Sequence, residues 1–210
     1  MWLARLLLTS GIGYLLGAIP TGLLVGRLYG GVDVRDFGSR STGATNVLRT
    51  VGPGASAIVV CGDLAKGALA VLIARRLFPH HALTHALAAL AVAIGHDWPV
   101  FARFHGGKGV LTSLGALGSL YFPATIPVVG IGAAVLWRTR YASLGSLVGT
   151  LVAPIVLTWS AMRRRVPRPY LIFGISGAAL VVIRHHENIA RLLNGTERRL
   201  GETAPAAANR

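Results

Sequence analysis

The chain has 210 residues, 53% hydrophobic and only 13% charged, with 27 glycines and a formal net charge of +14. Soluble domains carry roughly 25% charged residues, so this composition excludes an ordinary water-soluble domain and implies a polytopic, all-α membrane protein. The cations cluster between apolar segments, which fits anionic headgroups better than nucleic acid. The one cysteine, Cys61, lies in an apolar run, which leaves no disulfide framework and no cysteine metal site. The first apolar segment is too long for a cleavable leader and is followed by Arg27.

Residues 6–26 are free of charge, long enough to span, and carry G-xxx-G spacings through Gly13, Gly17, Gly22 and Gly26 that invite close helix packing. A polar stretch over 27–50, containing FGSRSTGATNVLRT, reads as a loop. The second span, 54–77, holds Asp63 and Lys66, which share a helix face at i,i+3. An ionisable group at the bilayer centre costs roughly 2.5–3.5 kcal/mol on insertion scales, so this face is expected to point inward; structural pairing and a functional role both remain open. A third span over 82–101 delivers His96 near its end. Residues 109–137 are uncharged but contain Pro123 and Pro127, which predicts two short helices with a proline-bearing connection. Spans over 141–162 and 169–183 complete seven. The last is short, since 15 helical residues cover only about 22 Å. The segment RHHENIARLLNGTERRLGE is amphipathic and basic and is expected on the membrane surface. One catalytic domain, 1–200, followed by a disordered tail, 201–210, is expected.

Seven spans put the chain ends on opposite sides. With the N-terminus outside, the inner segments hold thirteen Lys and Arg and the outer ends seven, which favours a cytoplasmic C-terminus. The triplet Arg163-Arg164-Arg165 argues the other way.

The most informative stretch is GHDWPVFARFHGGKGVLT, 95–112. Glycines and a lysine just before a helix start combine free backbone N–H groups, the helix dipole and a cation, a combination suited to phosphate. It is no Walker A loop, because Gly109 follows Lys108. The plainer alternative is a glycine-rich turn whose lysine sits among headgroups. In the N-outside topology four polar segments converge, bringing Arg49, Lys108, His185 and Arg191 together with Ser39, Thr45, Asn46 and Asn188. That set offers many donors and few acceptors, as a dianionic phosphate requires. His96 and His185 each have an ordinary structural alternative as interfacial histidines. No G-x-S-x-G, H-E-x-x-H or H-x4-D pattern occurs, so no protein nucleophile is evident.

Three blocks, GSRSTGATNVLR at 38–49, DLAKG at 63–67 and the 95–112 stretch, with RHHENIARLLNGTE at 184–197, give the sequence its resemblance to the bacterial acyl-phosphate:glycerol-3-phosphate acyltransferase family, the PlsY type. The resemblance covers nearly the whole chain. It implies seven transmembrane helices in the bacterial inner membrane and a site on the cytoplasmic face. The implied reaction moves a fatty acyl group from acyl phosphate to the 1-hydroxyl of glycerol 3-phosphate, giving lysophosphatidic acid and phosphate. No metal or cofactor is implied, and the enzyme that makes the acyl phosphate is an expected partner. Carried over by motif, Ser39, Arg49, Lys108, His185 and Asn188 are the catalytic set that holds glycerol 3-phosphate. Gly43, Thr45, Asn46 and the backbone of Gly106 and Gly107 line the acyl phosphate site. Asp63, Lys66 and His96 match motif positions that complete the substrate-binding set. The first block departs from the family's G-S-G-N-x-G-A-T-N at Arg40 and Ser41.

An acyl phosphate is already activated, so the protein must supply positioning and charge stabilisation. The hydroxyl proton can go to His185 or to the departing phosphate; the second is the preferred expectation. A rival class, an organophosphate transporter, would show paired broken helices in corresponding halves, and no such symmetry is visible. A purely structural scaffold leaves the buried Asp63 and Lys66 unexplained.

Overall fold

The structure, a computed structural model, describes residues 2–202 and is helical throughout that range apart from turns and loops. In chain order the helices are α1 (Trp2–Gly17), α2 (Thr21–Gly30), α3 (Ala44–Thr50), α4 (Pro53–Leu77), α5 (Ala82–Asp97), α6 (Val110–Tyr121), α7 (Thr125–Thr139), α8 (Ala142–Met162), α9 (Tyr170–Arg184) and α10 (His186–Leu193). Four helical stretches, Trp2–Gly30, Pro53–Leu77, Val110–Thr139 and Ala142–Met162, are long and apolar enough to cross a membrane, and Tyr170–Arg184 is a shorter apolar helix. The expected tail over 201–210 lies outside the described residues from 203 onward; Glu202 still accepts the backbone N–H of Arg199.

The first span is not one helix over 6–26. It breaks between α1 and α2 at Ala18–Pro20, because Pro20 has no N–H to continue the ladder. The break leaves the Ile19 carbonyl outside the helix, and Lys66 Nζ donates to it at 3.0 Å. Thr21, the first residue of α2, donates its hydroxyl to Asp63. A lapse in one span therefore supplies polar partners for the charges buried in another.

The G-xxx-G reading holds for packing. A methyl group at Gly17 would overlap the Val92 carbonyl, so α1 lies directly on the backbone of α5. The third span stops at Asp97, short of 101, because Pro99 diverts the chain into a 3₁₀ turn, Val100–Ala102. The prolines in the next stretch act as expected. Pro123 sits in the turn Phe122–Ala124 and Pro127 in the first turn of α7, which gives two short helices. Both ends of this pair return to one end of the molecule: Lys108 meets Asn188, and the Arg140 carbonyl accepts from the N–H of Leu200 at 2.7 Å. From the shared turn α6 runs against α4 and α7 against α8, so the two diverge. The space between them is the mouth of the cleft described next.

Candidate active site

The polar loop after α2 is folded by its own side chains. Asp33 accepts the backbone N–H of Arg35 at 3.0 Å and pairs with its guanidinium at 2.6 Å. Those charged hydrogen bonds hold the Asp33 carboxyl down at about 2. Arg35 also reaches the Ala102 carbonyl at 3.1 Å and fastens this loop to the 98–109 loop. Asn46 is buried, donates to the carbonyls of Val34, Phe37 and Ser41, and accepts the N–H of Ser39. All its polar atoms are thus engaged by backbone. Asn46 holds the loop, and among the residues this loop presents to the cleft are Ser39, Thr45 and Arg49.

The glycine-rich turn is built on α5. A side chain at Gly107 would occupy the same space as the His96 imidazole, so the turn closes only because position 107 has no Cβ. Gly107 donates its N–H to the His96 carbonyl at 3.1 Å, and its own carbonyl accepts from Arg184 Nη2 at 2.8 Å. Arg184 in turn stacks over Trp98 with its guanidinium carbon 5.1 Å from the ring centre. The Gly107 amide is therefore not a free anion donor, contrary to the expectation, and Gly106 and Gly107 do not line the cleft. The residues that do are Lys108, Gly109, Val110 and Leu111. Beneath the turn lies Asp63, 2.8 Å from Lys66 and 3.5 Å from His96 Nδ1, with all three side chains buried. Asp63 and His96 reach the cleft wall and Lys66 stands behind them. Asp97, unremarked in the sequence, is fully buried under Gly109, and neither carboxylate oxygen has a hydrogen-bond partner among the described residues.

Lys108 donates to Asn188 Oδ1. Burial first, and the nearby Arg191 second, pull its ammonium down to about 8. His185 lies beside it and is held by Nδ1–H donation to the Val181 carbonyl at 2.8 Å. That bond fixes the neutral tautomer with Nε2 as acceptor. Burial and the Lys108 charge lower His185 to about 4, so it is neutral at physiological pH. Arg49 donates to the carbonyls of Arg198 and Arg199 at 3.2 and 3.3 Å, while its buried Nε has no partner among the described residues.

The sequence reading missed Glu197. Its carboxylate accepts from Ser143 Oγ at 2.7 Å, Asn188 Nδ2 at 2.6 Å and Arg191 Nε at 2.8 Å. Burial opposes ionisation there, but these donors outweigh it and lower its pKa. The site is therefore not a cluster of donors alone. The last residue of the RHHENIARLLNGTE block is the acceptor that orders Asn188 and Arg191. For the same reason 194–202 does not lie flat on the membrane beyond α10. It folds back over the site, tied down by Glu197, by Arg49, and by Arg140 donating to the Leu200 carbonyl at 3.0 Å.

These groups face one cleft of about 450 Å3. Its polar end gathers Ser39, Thr45, Arg49, Lys108, His185 and Asn188; Gly43 and Asn46 also reach it. Its other limb is apolar and runs among Leu114 and Leu117 of α6, Val128 and Gly132 of α7, Gly149 and Ala153 of α8, and Phe173 and Gly177 of α9. A cationic pocket continuous with a greasy trough suits a reaction between a small phosphate ester and a long acyl chain.

The glycerol-3-phosphate acyltransferase family model matches residues 7–195. A protein of Rubrobacter xylanophilus named glycerol-3-phosphate acyltransferase is 45% identical over 195 residues, covering 90% of this chain and 92% of that one. A solved structure of PlsY, an integral membrane glycerol 3-phosphate acyltransferase, in its glycerol 3-phosphate form aligns with a TM-score of 0.87 at 36% identity, covering 93% of this chain and 96% of that chain. Its lysophosphatidic acid form aligns at 0.85 and 35%, covering 93% and 95%.

Proposed function

The chain belongs to the glycerol-3-phosphate acyltransferase family, PlsY type, and on that premise we propose that glycerol 3-phosphate occupies the polar end of the cleft while acyl phosphate lays its chain along the apolar limb. The observation that carries this reading is that one cleft is lined both by Arg49, Lys108, His185 and Asn188 and by Leu114, Leu117, Val128 and Phe173. Arg49 and Lys108 counter the repulsion between two anionic reactants, with Ser39 and Asn188 orienting the glycerol phosphate. Thr45 and the 108–111 turn face the acyl phosphate group. Asp63, Lys66 and His96 position that turn from behind, and Gly106, Gly107, Gly43 and Asn46 give the two loops their shape. The site end holds most of the cations, which supports a cytoplasmic site and a C-terminus inside in a bacterial inner membrane. A donor-producing acyltransferase on that face is the matching partner.

In the reaction the C1 hydroxyl oxygen attacks the acyl carbonyl, the carbonyl–O bond to phosphate breaks, and the ester and phosphate separate. A phosphate that leaves without a proton is a far stronger base than an imidazole whose pKa is about 4. The proton therefore goes to phosphate, and His185 Nε2 accepts a hydrogen bond that aims the hydroxyl. His185→Ala is expected to raise KM for glycerol 3-phosphate while kcat falls by less than the roughly 10²- to 10⁴-fold cost of losing a general base. Intact binding with abolished turnover would make His185 the base.

The apolar limb follows α8 from Ser143 to Ala153, about 15 Å of helix rise. It closes at Phe173, a buried side chain whose ring would lie 3.4 Å from a methyl group at Gly177. Each buried methylene contributes about 0.8 kcal/mol, so affinity should rise about fourfold per carbon until the chain meets that ring. Phe173→Ala is expected to move the preferred acyl phosphate toward longer chains and Gly177→Val toward shorter ones. KM measured across a chain-length series checks this, and identical profiles in both variants contradict it.

A further inference from the structure

The end of the molecule away from the cleft has a one-sided charge. Arg5, Arg75, Arg76, Arg163, Arg164, Arg165 and Arg168 all belong to it. The chain's seven acidic residues lie elsewhere: Asp33, Asp36, Glu187, Glu197 and Glu202 at the cleft end, and Asp63 and Asp97 inside the bundle. Four of those arginines are packed into the turn between α8 and α9. The guanidinium carbons of Arg163 and Arg165 stand 5.5 and 5.2 Å from the centre of the Trp159 ring. Arg164 and Arg168 line a concave surface with Arg165, Met162 and Pro167.

Two features place this cluster at headgroup level. Helix α8 runs 21 residues from the cleft end, about 31 Å of rise, which matches the hydrocarbon thickness of roughly 30 Å; the arginines begin where that thickness ends. Trp159, one turn inward, and Met162, the residue just before Arg163, are exposed at 48% and 78%, as side chains bathed in lipid would be. The turn itself takes a left-handed residue, a conformation that Arg40, Arg103 and Arg140 adopt elsewhere. The helix ends with Arg165 N–H bonded to the Ser160 carbonyl and Arg164 N–H to the Ala161 carbonyl, and Arg164 takes φ of 55°. Glycine usually fills that left-handed position at no steric cost; here a guanidinium occupies it.

We propose that the α8–α9 turn is a binding site for an anionic phospholipid headgroup in the leaflet opposite the cleft, with Arg163, Arg164, Arg165 and Arg168 as phosphate donors and Trp159 as the interfacial platform. This goes beyond the acyl transfer reaction, since none of these residues touches the cleft. The partner is a lipid rather than an acidic protein because the basic turn is bordered by exposed apolar side chains.

Trp159 reports on its own neighbours. The full-length protein is reconstituted in phosphatidylcholine vesicles carrying either brominated phosphatidylglycerol or brominated phosphatidylcholine at equal mole fraction. The Trp159 signal is the difference between wild type and Trp159→Phe. Phosphatidylglycerol is expected to occupy the site over phosphatidylcholine by about fivefold for each arginine engaged. The quadruple change of Arg163, Arg164, Arg165 and Arg168 to Gln should bring the ratio to one while acyl transfer in phosphatidylcholine continues. Arg164→Gly keeps the left-handed turn and removes one charge, so it should lower the ratio by about fivefold even if the quadruple variant does not fold. Equal quenching by the two lipids in wild type, or a ratio untouched by Arg164→Gly, overturns the proposal.

Discussion

Lys108→Met is expected to lower kcat/KM for glycerol 3-phosphate by about 10²- to 10³-fold, the usual cost of removing one preorganised donor from a developing anion. The expectation has a pH signature. Burial brings the Lys108 ammonium down to about 8, so below that pH it carries the charge that attracts phosphate, and above it the charge is lost. KM for glycerol 3-phosphate should therefore rise about tenfold per unit once pH exceeds 8. kcat at saturation should hold further into alkali, because a bound dianion raises the ammonium pKa again. Lys108→Arg keeps a cation at all these pH values and should lose the alkaline limb, although its planar fork fits a lysine site poorly. Steady-state kinetics between pH 6.5 and 9.5 (about three units around the titration) check both points. A flat KM in wild type would mean that Lys108 does not hold the phosphate.

The second large effect is on stability. Asp63 is buried with Lys66 at 2.8 Å and His96 at 3.5 Å, and Thr21 and the Ile19 carbonyl complete the set. Removing one member of a buried pair strands the other, at about 3–5 kcal/mol. Asp63→Asn or Lys66→Met alone should lower the midpoint of thermal unfolding in detergent by about 10 °C. The double variant should lose much less than the sum, because neither charge is then left alone. Strict additivity would show that the pair is not coupled. Asp63→Asn should also raise KM for glycerol 3-phosphate, since His96 and the turn against Gly107 rest on that carboxylate.

Much of this arrangement is legible in the chain because the bilayer is a severe solvent. Uncharged runs of the required length have to be helical spans, and prolines at 123 and 127 in an over-long run have to mark a division. Pairing of Asp63 with Lys66 follows from their spacing. Pro20 was different: a lone proline in an uncharged run can kink a helix or end it. What decides is Lys66 and Thr21–Asp63 across the bundle, which no local pattern reveals. In the polar loops composition marks out a group of phosphate-binding residues, and individual roles rest on the resemblance. An asparagine such as Asn46 can turn its amide toward ligand or backbone, and composition is identical in the two cases. Likewise a glycine can serve an anion by its N–H or a neighbour by its missing Cβ; at Gly107 the neighbour is His96. Glu197 escaped notice because a carboxylate looks misplaced among phosphate-binding cations. Its three donors, one of them on α8, are brought to it only by the folding back of 194–202.

The most direct test is acyl transfer by the purified protein in detergent, with labelled glycerol 3-phosphate and palmitoyl phosphate, palmitoyl-CoA or palmitoyl acyl carrier protein as donor. Labelled lysophosphatidic acid is expected from palmitoyl phosphate alone, and none from a variant in which Arg49 and Lys108 are both replaced by alanine. Product formation at the wild-type rate by that double variant, or from the thioester donors in preference to palmitoyl phosphate, would contradict a site in which paired cations join two phosphate-bearing substrates.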